Sequence, residues 1–333
     1  MSKEAASISA HAFAIVARLG CGAAILSVIV WRWGAEPFLA ALESIDAVSL
    51  AVAVVVTGLT TVCCAWRWSL VAGGLGVHVR LRPALAAYYR SQFLNLTLPG
   101  GVVGDAHRGV RHGRDVGSVG RSLRSVVWER TFGQIVQVVL TASVLVVVPT
   151  PVRSAAIVAL LAAAVGIGVV VAARAMVRAR PAIGPTPGRV RAAVRASMSD
   201  LRAIARARAV PGIVVASMLV VVGHVVVFMV AMSAVGVDTV GAHGVPVALI
   251  VLQAAAIPAN LAGWGPREGV AAWAFGSVGL GAAQGVSVAV LYGVLALGAT
   301  LPGAVLLIAG HRRVRRGRTG DVPAAAAAGG ATQ

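Results

Sequence analysis

The run Val126-Val127-Trp128-Glu129-Arg130-Thr131-Phe132-Gly133-Gln134-Ile135-Val136-Gln137-Val138-Val139-Leu140-Thr141-Ala142-Ser143-Val144-Leu145-Val146-Val147-Val148 decides the fold. It has the length of a membrane crossing, which needs about 20 mostly apolar residues. Near its start stand an acid and a base, Glu129 and Arg130. Neighbours on a helix point about 100° apart, so these two predict separate partners. Arg130, Gln134, Gln137 and Thr141 fall at i, i+4, i+7 and i+11 and form one helical stripe. A polar stripe entering a span predicts a cavity or another helix beside it, not lipid. The plainer alternative is that Arg130 snorkels to the interface and the glutamines only bond neighbouring helices.

The whole chain supports a membrane setting. It has 333 residues, 58% hydrophobic and 12% charged, with a mean hydropathy of +0.87. Soluble domains carry about twice that charged fraction. Net charge is +18. The bases concentrate between apolar runs, so the charge points to topology and anionic headgroups rather than nucleic acid.

Eight candidate spans follow, at 14–31, 47–65, 126–148, 155–173, 212–235, 245–262, 269–284 and 286–309. The run 269–284 is the weakest, being short and Gly-rich. The segment 84–98 is apolar but carries Tyr88, Tyr89, Arg90, Gln92, Asn95 and Thr97. It reads as a helix in the interface or dipping partway into the membrane. The loop at 34–47 has Glu36, Glu43 and Asp46 and no base, whereas 66–125 and 174–210 are dense in arginine. This alternation places both termini in the cytoplasm. Arg191, Arg195, Arg202 and Arg206 have helical spacing, which fits an amphipathic cytoplasmic helix on headgroups. A solvated basic linker fits equally well. The expected organisation is an integral membrane domain over 1–311 and a basic, then Ala/Gly-rich, disordered tail over 312–333.

Two further polar islands lie at membrane edges, where charge is costly and function is the default hypothesis. The first is Leu98-Pro99-Gly100-Gly101 with Gly104, Asp105 and Arg108; the second is Ile257-Pro258 with Gly263, Gly265, Pro266, Arg267 and Glu268. Pro and Gly in both predict broken or re-entrant helices, tolerated at that depth only inside protein or along a wet cavity. Their similarity suggests paired interrupted segments of an inverted repeat. Asp105 and Arg108 are spaced to pair along one turn, with a helix cap as the alternative role for Asp105. Pro266 and Glu268 suit a helix start. Arg267 is unfavourable at that positive helix end unless an anion is near. A lipid phosphate, Asp105 or Glu129 would serve, so all three islands are expected to meet in one cavity.

Other signals are weak. Cys21, Cys63 and Cys64 lie in apolar runs and offer neither a disulfide framework nor metal spacing. Gly265-x-x-x-Gly269 and Gly281-x-x-x-Gly285 suit close helix packing. No metal or cofactor is expected.

The Pro99–Arg108 element, the Glu129-Arg130 pair and the Gly263–Glu268 element together resemble the flippase-like integral membrane family, also called the lysylphosphatidylglycerol synthase transmembrane-region family. The resemblance runs from about Trp66 to Gly303. Ala259-Asn260 departs from it, where a Pro-Gly-Gly start is typical. Larger members continue into a soluble aminoacyl-transferase domain, and no such domain is expected after Arg318 here. The resemblance implies movement of a modified or glycosylated lipid between leaflets of the bacterial plasma membrane. The expectation is therefore an all-α polytopic helical membrane protein with about eight transmembrane helices, acting as a non-enzymatic lipid translocase. Asp105, Arg108, Glu129, Arg130, Gln134, Gln137, Arg267 and Glu268 would line its headgroup cavity. Pro99, Gly100, Gly101, Gly104, Pro258, Gly263, Gly265 and Pro266 would break its helices. Membrane lipids are the expected partners, nucleic acid is not, and a homo-oligomer or envelope-synthesis enzymes remain open. Two alternatives stand beside this: a non-transporting partner of envelope glycolipid synthesis, and an intramembrane lipid-modifying enzyme.

Overall fold

The computed structural model describes residues 27–28, 30–32, 34–98, 101–154, 157, 187–237, 243–257 and 264–309. Among these residues the elements are all helices. They are α1 (Glu36–Glu43), α2 (Ala47–Gly74), α3 (Leu81–Thr97), α4 (Val103–Asp115) and α5 (Val119–Val147). They continue as α6 (Pro187–Arg206), α7 (Val210–Ala234), α8 (Gly244–Ala255), α9 (Pro266–Ser277) and α10 (Ala282–Ala299). The chain is an all-α polytopic membrane protein.

Four described stretches are long and apolar enough to cross a bilayer: α2 with 28 residues, α5 with 29, α7 with 25, and the 28-residue run Ala282–Ala309. Each exceeds the length needed for about 30 Å of hydrocarbon. Val54, Val55, Leu59, Ile135, Val139, Val215, Leu219 and Val222 are exposed on these helices, as lipid-facing positions should be. Asp46 caps α2 and accepts from the Val48 and Ser49 backbone N–H groups, each at 2.8 Å. A cap of this kind contributes about 1 kcal/mol.

The spans do not all follow the apolar runs. The second continues past residue 65 to Gly74, so Arg67 lies inside a helix rather than in a loop. The run 269–284 is divided. α9 ends at Ser277, and α10 starts after Gly279 and Gly281, both at positive φ, which L side chains rarely adopt. In the run 245–262, α8 covers 12 residues and ends at Ala255. Most of 14–31 and of 155–173 lies outside the described residues. The arginine-rich segment is helical as α6, which packs on α2.

Packing centres on α2 and α7, which lie against one another and share neighbours. One apolar core joins α7, α8, α9 and α10 through residues such as Phe228, Met232, Phe275, Leu291 and Leu295. A second core joins α2 and α3 through Trp68, Ala72, Ala84 and Tyr88, with Val126 of α5. α3, α4 and α5 pack in succession, and α2 contacts both α3 and α5. That arrangement brings the polar faces of four helices to one place.

Candidate functional site

α3 places a polar face toward its neighbours. Tyr88, Ser91, Gln92 and Asn95 fall at i, i+3, i+4 and i+7, one side of the helix. This face does not lie on water. Tyr88 and Ser91 are buried, and Gln92 Oε1 accepts from Thr61 Oγ1 of α2 at 3.0 Å. α3 ends at Thr97 and α4 begins at Val103, so the helix breaks where Pro99 to Gly101 predict. Pro99 and Gly100 themselves, with Pro258 and Gly263 of the other island, lie outside the described residues. Gly101 turns the chain at φ 59°.

Beyond the break α4 packs tightly back on α3. A Cβ at Gly104 would overlap the Ser91 carbonyl oxygen, so only glycine permits this approach. Asn95 then satisfies the open end of α4, its Oδ1 accepting from Gly104 N–H at 2.7 Å. The α4 N-cap is Val102, so Asp105 is not the cap. Asp105 instead faces inward and accepts from Ser91 Oγ at 3.1 Å and from Asn95 Nδ2 at 3.2 Å.

Four more charged side chains gather around it. Arg108 Nε donates to Asp105 Oδ1 at 3.0 Å, the one-turn pair predicted from the spacing. Arg108 Nη2 reaches Glu129 Oε2 at 2.6 Å. Arg67 of α2 holds the other oxygen of Glu129 through Nη2 and, at 2.8 Å, through Nε. Tyr88 Oη donates to that same oxygen at 2.7 Å, and Arg67 Nη1 donates to Ser217 Oγ of α7 at 3.1 Å. Arg130 pairs with Asp105 Oδ2 at 2.7 Å. Glu129 and Arg130 thus point apart and find separate partners, as helical geometry requires.

Burial within this cluster is uneven. Glu129 is wholly buried and Arg108 is 1% exposed, whereas the Arg130 side chain is 49% exposed. The guanidinium of Arg108 also lies over the rings of Trp68 and Tyr88, at 4.8 and 4.2 Å. The Arg67 guanidinium passes close to α5 at Gly133, where a Cβ would stand 2.7 Å from Nη1. The charges do not cancel. Arg67, Arg108 and Arg130 face Asp105 and Glu129, which leaves one positive charge over.

The polar stripe continues along α5. Gln134 Nε2 donates to Gln253 Oε1 of α8 at 2.5 Å, and Gln253 Nε2 donates to Thr141 Oγ1 at 3.2 Å. These two stripe residues therefore bond another helix, the plainer of the two expectations. Gln137 is half-buried, and its carbonyl accepts from Thr141 Oγ1 at 2.7 Å.

The third island forms its own site. Pro266 opens α9, and Gly265, at φ 126°, is its N-cap. Glu268 Oε2 accepts from the Gly265 backbone N–H at 2.6 Å, the helix-start role predicted for it. Arg267 finds neither Asp105 nor Glu129. It bonds its own neighbour, Glu268 Oε1, from Nε at 2.9 Å and Nη2 at 2.5 Å. The long Arg267 side chain thus reaches its own neighbour, although adjacent helical side chains point about 100° apart. Trp264 and Tyr292 face the guanidinium at 5.6 and 5.3 Å. The Arg108 environment is similar: one guanidinium with a Trp, a Tyr and a Glu.

The two sites approach one another through α7. Ser217 bonds Arg67, and His224 Nδ1 lies 3.1 Å from Tyr292 Oη. Seven helical residues separate Ser217 from His224, two turns on one face and about 10 Å along the axis. Among the described residues, no hydrogen bond or ion pair joins Arg267 or Glu268 to Asp105, Glu129 or Arg130. The first two converge, and the third is a separate buried pair.

Along α4, burial pushes His107 below the usual histidine range, helped by Arg111 and Arg90, and burial does the same to His112. Among the described residues no three His, Cys, Asp or Glu side chains gather as metal ligands.

Arg67, Ser217 and Gln253 were not foreseen as site residues. Cys64, Arg67, Trp68 and Val71 do recur at helical spacing, and all are buried. That pattern was the available signal for Arg67.

Comparison with known proteins places this architecture. Searches of curated proteins and of solved structures find no match to the chain. A family model described as "Lysylphosphatidylglycerol synthase TM region" matches residues 12–303, most of the chain and all three polar islands. The protein belongs to the lysylphosphatidylglycerol synthase transmembrane-region family.

Proposed function

We propose that this protein moves a phosphate-bearing membrane lipid between leaflets, with Arg130 receiving the headgroup. One observation carries the reading: the buried cluster holds a surplus positive charge, and its half-exposed member is Arg130. A guanidinium paired on one side and open on the other suits a phosphate oxygen, with charge-assisted hydrogen bonds in a fixed planar fork. Asp105 and Glu129 hold the three arginines in place, and they answer any cationic part of a modified headgroup. The Gln134–Gln253–Thr141 ladder extends the polar path from Arg130 between α5 and α8. Acyl chains remain in the bilayer beside the exposed Ile135 and Val139 of α5.

In this reading the protein is a transporter rather than an enzyme. It sits in the plasma membrane with the arginine-rich segments on the cytoplasmic side. Glycolipids carrying phosphate fall in the same ligand class as phospholipids. Arg267 and Glu268 stabilise the second interrupted segment, and the His224–Tyr292 contact ties it to α7.

A leaflet assay in proteoliposomes tests this. Wild-type protein is expected to transfer headgroup-labelled phospholipid. Arg130→Gln is expected to reduce the rate at least about tenfold, the effect of losing one charge-assisted contact of roughly 1.4 kcal/mol or more. The variant should keep its fold, because position 130 lies at the edge of the cluster. Folded wild type that moves no phospholipid or glycolipid, including those that co-purify, would overturn the reading in favour of a non-transporting assembly partner.

A further inference from the structure

A separate feature adjoins the cluster toward the C-terminal half of α4. Between α3 and α4 is a cavity of about 70 Å3, walled in part by Arg90, His107, Arg108, Arg111 and His112, with Asp115 the one acid in its lining among the described residues. Three buried nitrogens on these walls have no hydrogen-bond partner: Arg90 Nε, Arg108 Nη1 and His112 Nε2. The first two are guanidinium donors. Arg108 is 1% exposed, and its other nitrogens are committed to Asp105, Glu129 and Tyr88. The remaining Nη1 therefore cannot turn to water without breaking the cluster.

An unsatisfied buried donor is costly, more so on a charged group. Three such atoms converging on one cavity point to a ligand rich in acceptor oxygens. The cavity is larger than the roughly 30 Å3 share of a single water, and Arg90, Arg108 and Arg111 outnumber Asp115 on its wall. Water would accept the hydrogen bonds but would not answer that charge. A wider groove adjoins it, sharing His107, Arg111 and Asp115 and adding the apolar Val103, Ala106 and Val110.

We infer that the crevice between α3 and α4 binds a phosphoryl group, held by Arg90, Arg108 and His112. The group belongs either to a lipid headgroup, with hydrocarbon along the Val103–Val110 groove, or to free phosphate. Two oxygens accept from Arg90 Nε and Arg108 Nη1, and His112 Nε2 in its N–H form donates to a third. This site is distinct from the Arg130 face and does not depend on the transport reading. Through Arg108 it touches the same buried carboxylates, so occupancy here stiffens the cluster from behind.

The test uses the full chain in phosphatidylcholine nanodiscs. Phosphorus NMR follows binding of inorganic phosphate in one arm and of phosphatidic acid placed in the disc in the other. Wild type is expected to bind in at least one arm, and the Arg90→Gln/His112→Gln double variant to bind at least about tenfold more weakly. Arg111→Gln, on the exposed rim, is the second variant should the double variant fail to fold, and it too should weaken binding. Binding in the free-phosphate arm, lost in the variants, identifies a soluble ligand. Binding in the phosphatidic acid arm alone identifies a lipid. Arg130→Gln should leave intact the share of binding that Arg90→Gln/His112→Gln removes, so failure of transport and failure of this site are separable. No binding in either arm, or binding unchanged in the pocket variants, overturns the inference.

Discussion

Glu129→Gln is expected to lower unfolding stability by about 3–5 kcal/mol, the cost of removing one partner from a buried ion pair. Glu129 is wholly buried and takes hydrogen bonds from Arg67, Arg108 and Tyr88. The amide keeps the shape but leaves two buried guanidinium groups facing a neutral oxygen or an N–H. Arg108 retains Asp105, whereas Arg67 keeps only the hydroxyl of Ser217 and the Cys64 sulfur. The larger share of the loss therefore falls on the α2–α5 contact. Equilibrium unfolding in detergent, scored against wild type, measures it. Adding Arg67→Met to the variant should cost less than the sum of the two single changes, because the double change removes both members of one coupled pair. A fall below about 1 kcal/mol for Glu129→Gln, or strict additivity, would contradict the account of Glu129 as the common anchor.

Gly104→Ala is the second large effect. The added methyl overlaps the Ser91 carbonyl oxygen, with the Ser91 Cα 2.7 Å from the new Cβ. Overpacking usually costs about 1–3 kcal/mol. The upper end is expected here, because the obstruction is helix backbone and cannot rotate away. α4 must withdraw from α3, and withdrawal loosens Asn95 on Gly104 N–H and both Ser91 and Asn95 on Asp105. Stability and headgroup transfer should fall together. Gly120→Ala is the control, since nothing lies within 4 Å of a Cβ there. Equal behaviour of the two alanine variants would remove the close approach from the argument.

Much of this was legible in the sequence, for identifiable reasons. The apolar runs at 47–65, 126–148, 212–235 and 286–309 correspond to helices because lipid imposes a minimum length and tolerates little charge. The Asp105–Arg108 pair and the divergence of Glu129 from Arg130 followed from helical geometry alone. Arg67 was missed because the apolar run stops at Ala65, while the helix continues to Gly74 with Arg67 turned inward. A hydropathy boundary registers the residue type and is blind to the side it faces. The Arg267–Glu268 pair escaped because a long side chain can reach its own neighbour although the two point about 100° apart. Gln253 sits alone in an apolar stretch, and only the tertiary arrangement shows that it bridges Gln134 and Thr141.

In this reading Arg130 holds a phosphate-bearing lipid and does not merely fasten α5 to α4. Native mass spectrometry of the protein extracted from its own membrane tests this directly. Arg124→Gln serves as the comparison, since Arg124 is also on α5, is 43% exposed and pairs with Asp200 of α6 at 3.1 Å. Wild type and Arg124→Gln should retain the same phosphate-bearing lipids, and Arg130→Gln should retain one fewer. If Arg130→Gln keeps the same lipids in the same amounts as the other two, Arg130 is not a headgroup site and the proposed role of the cluster fails.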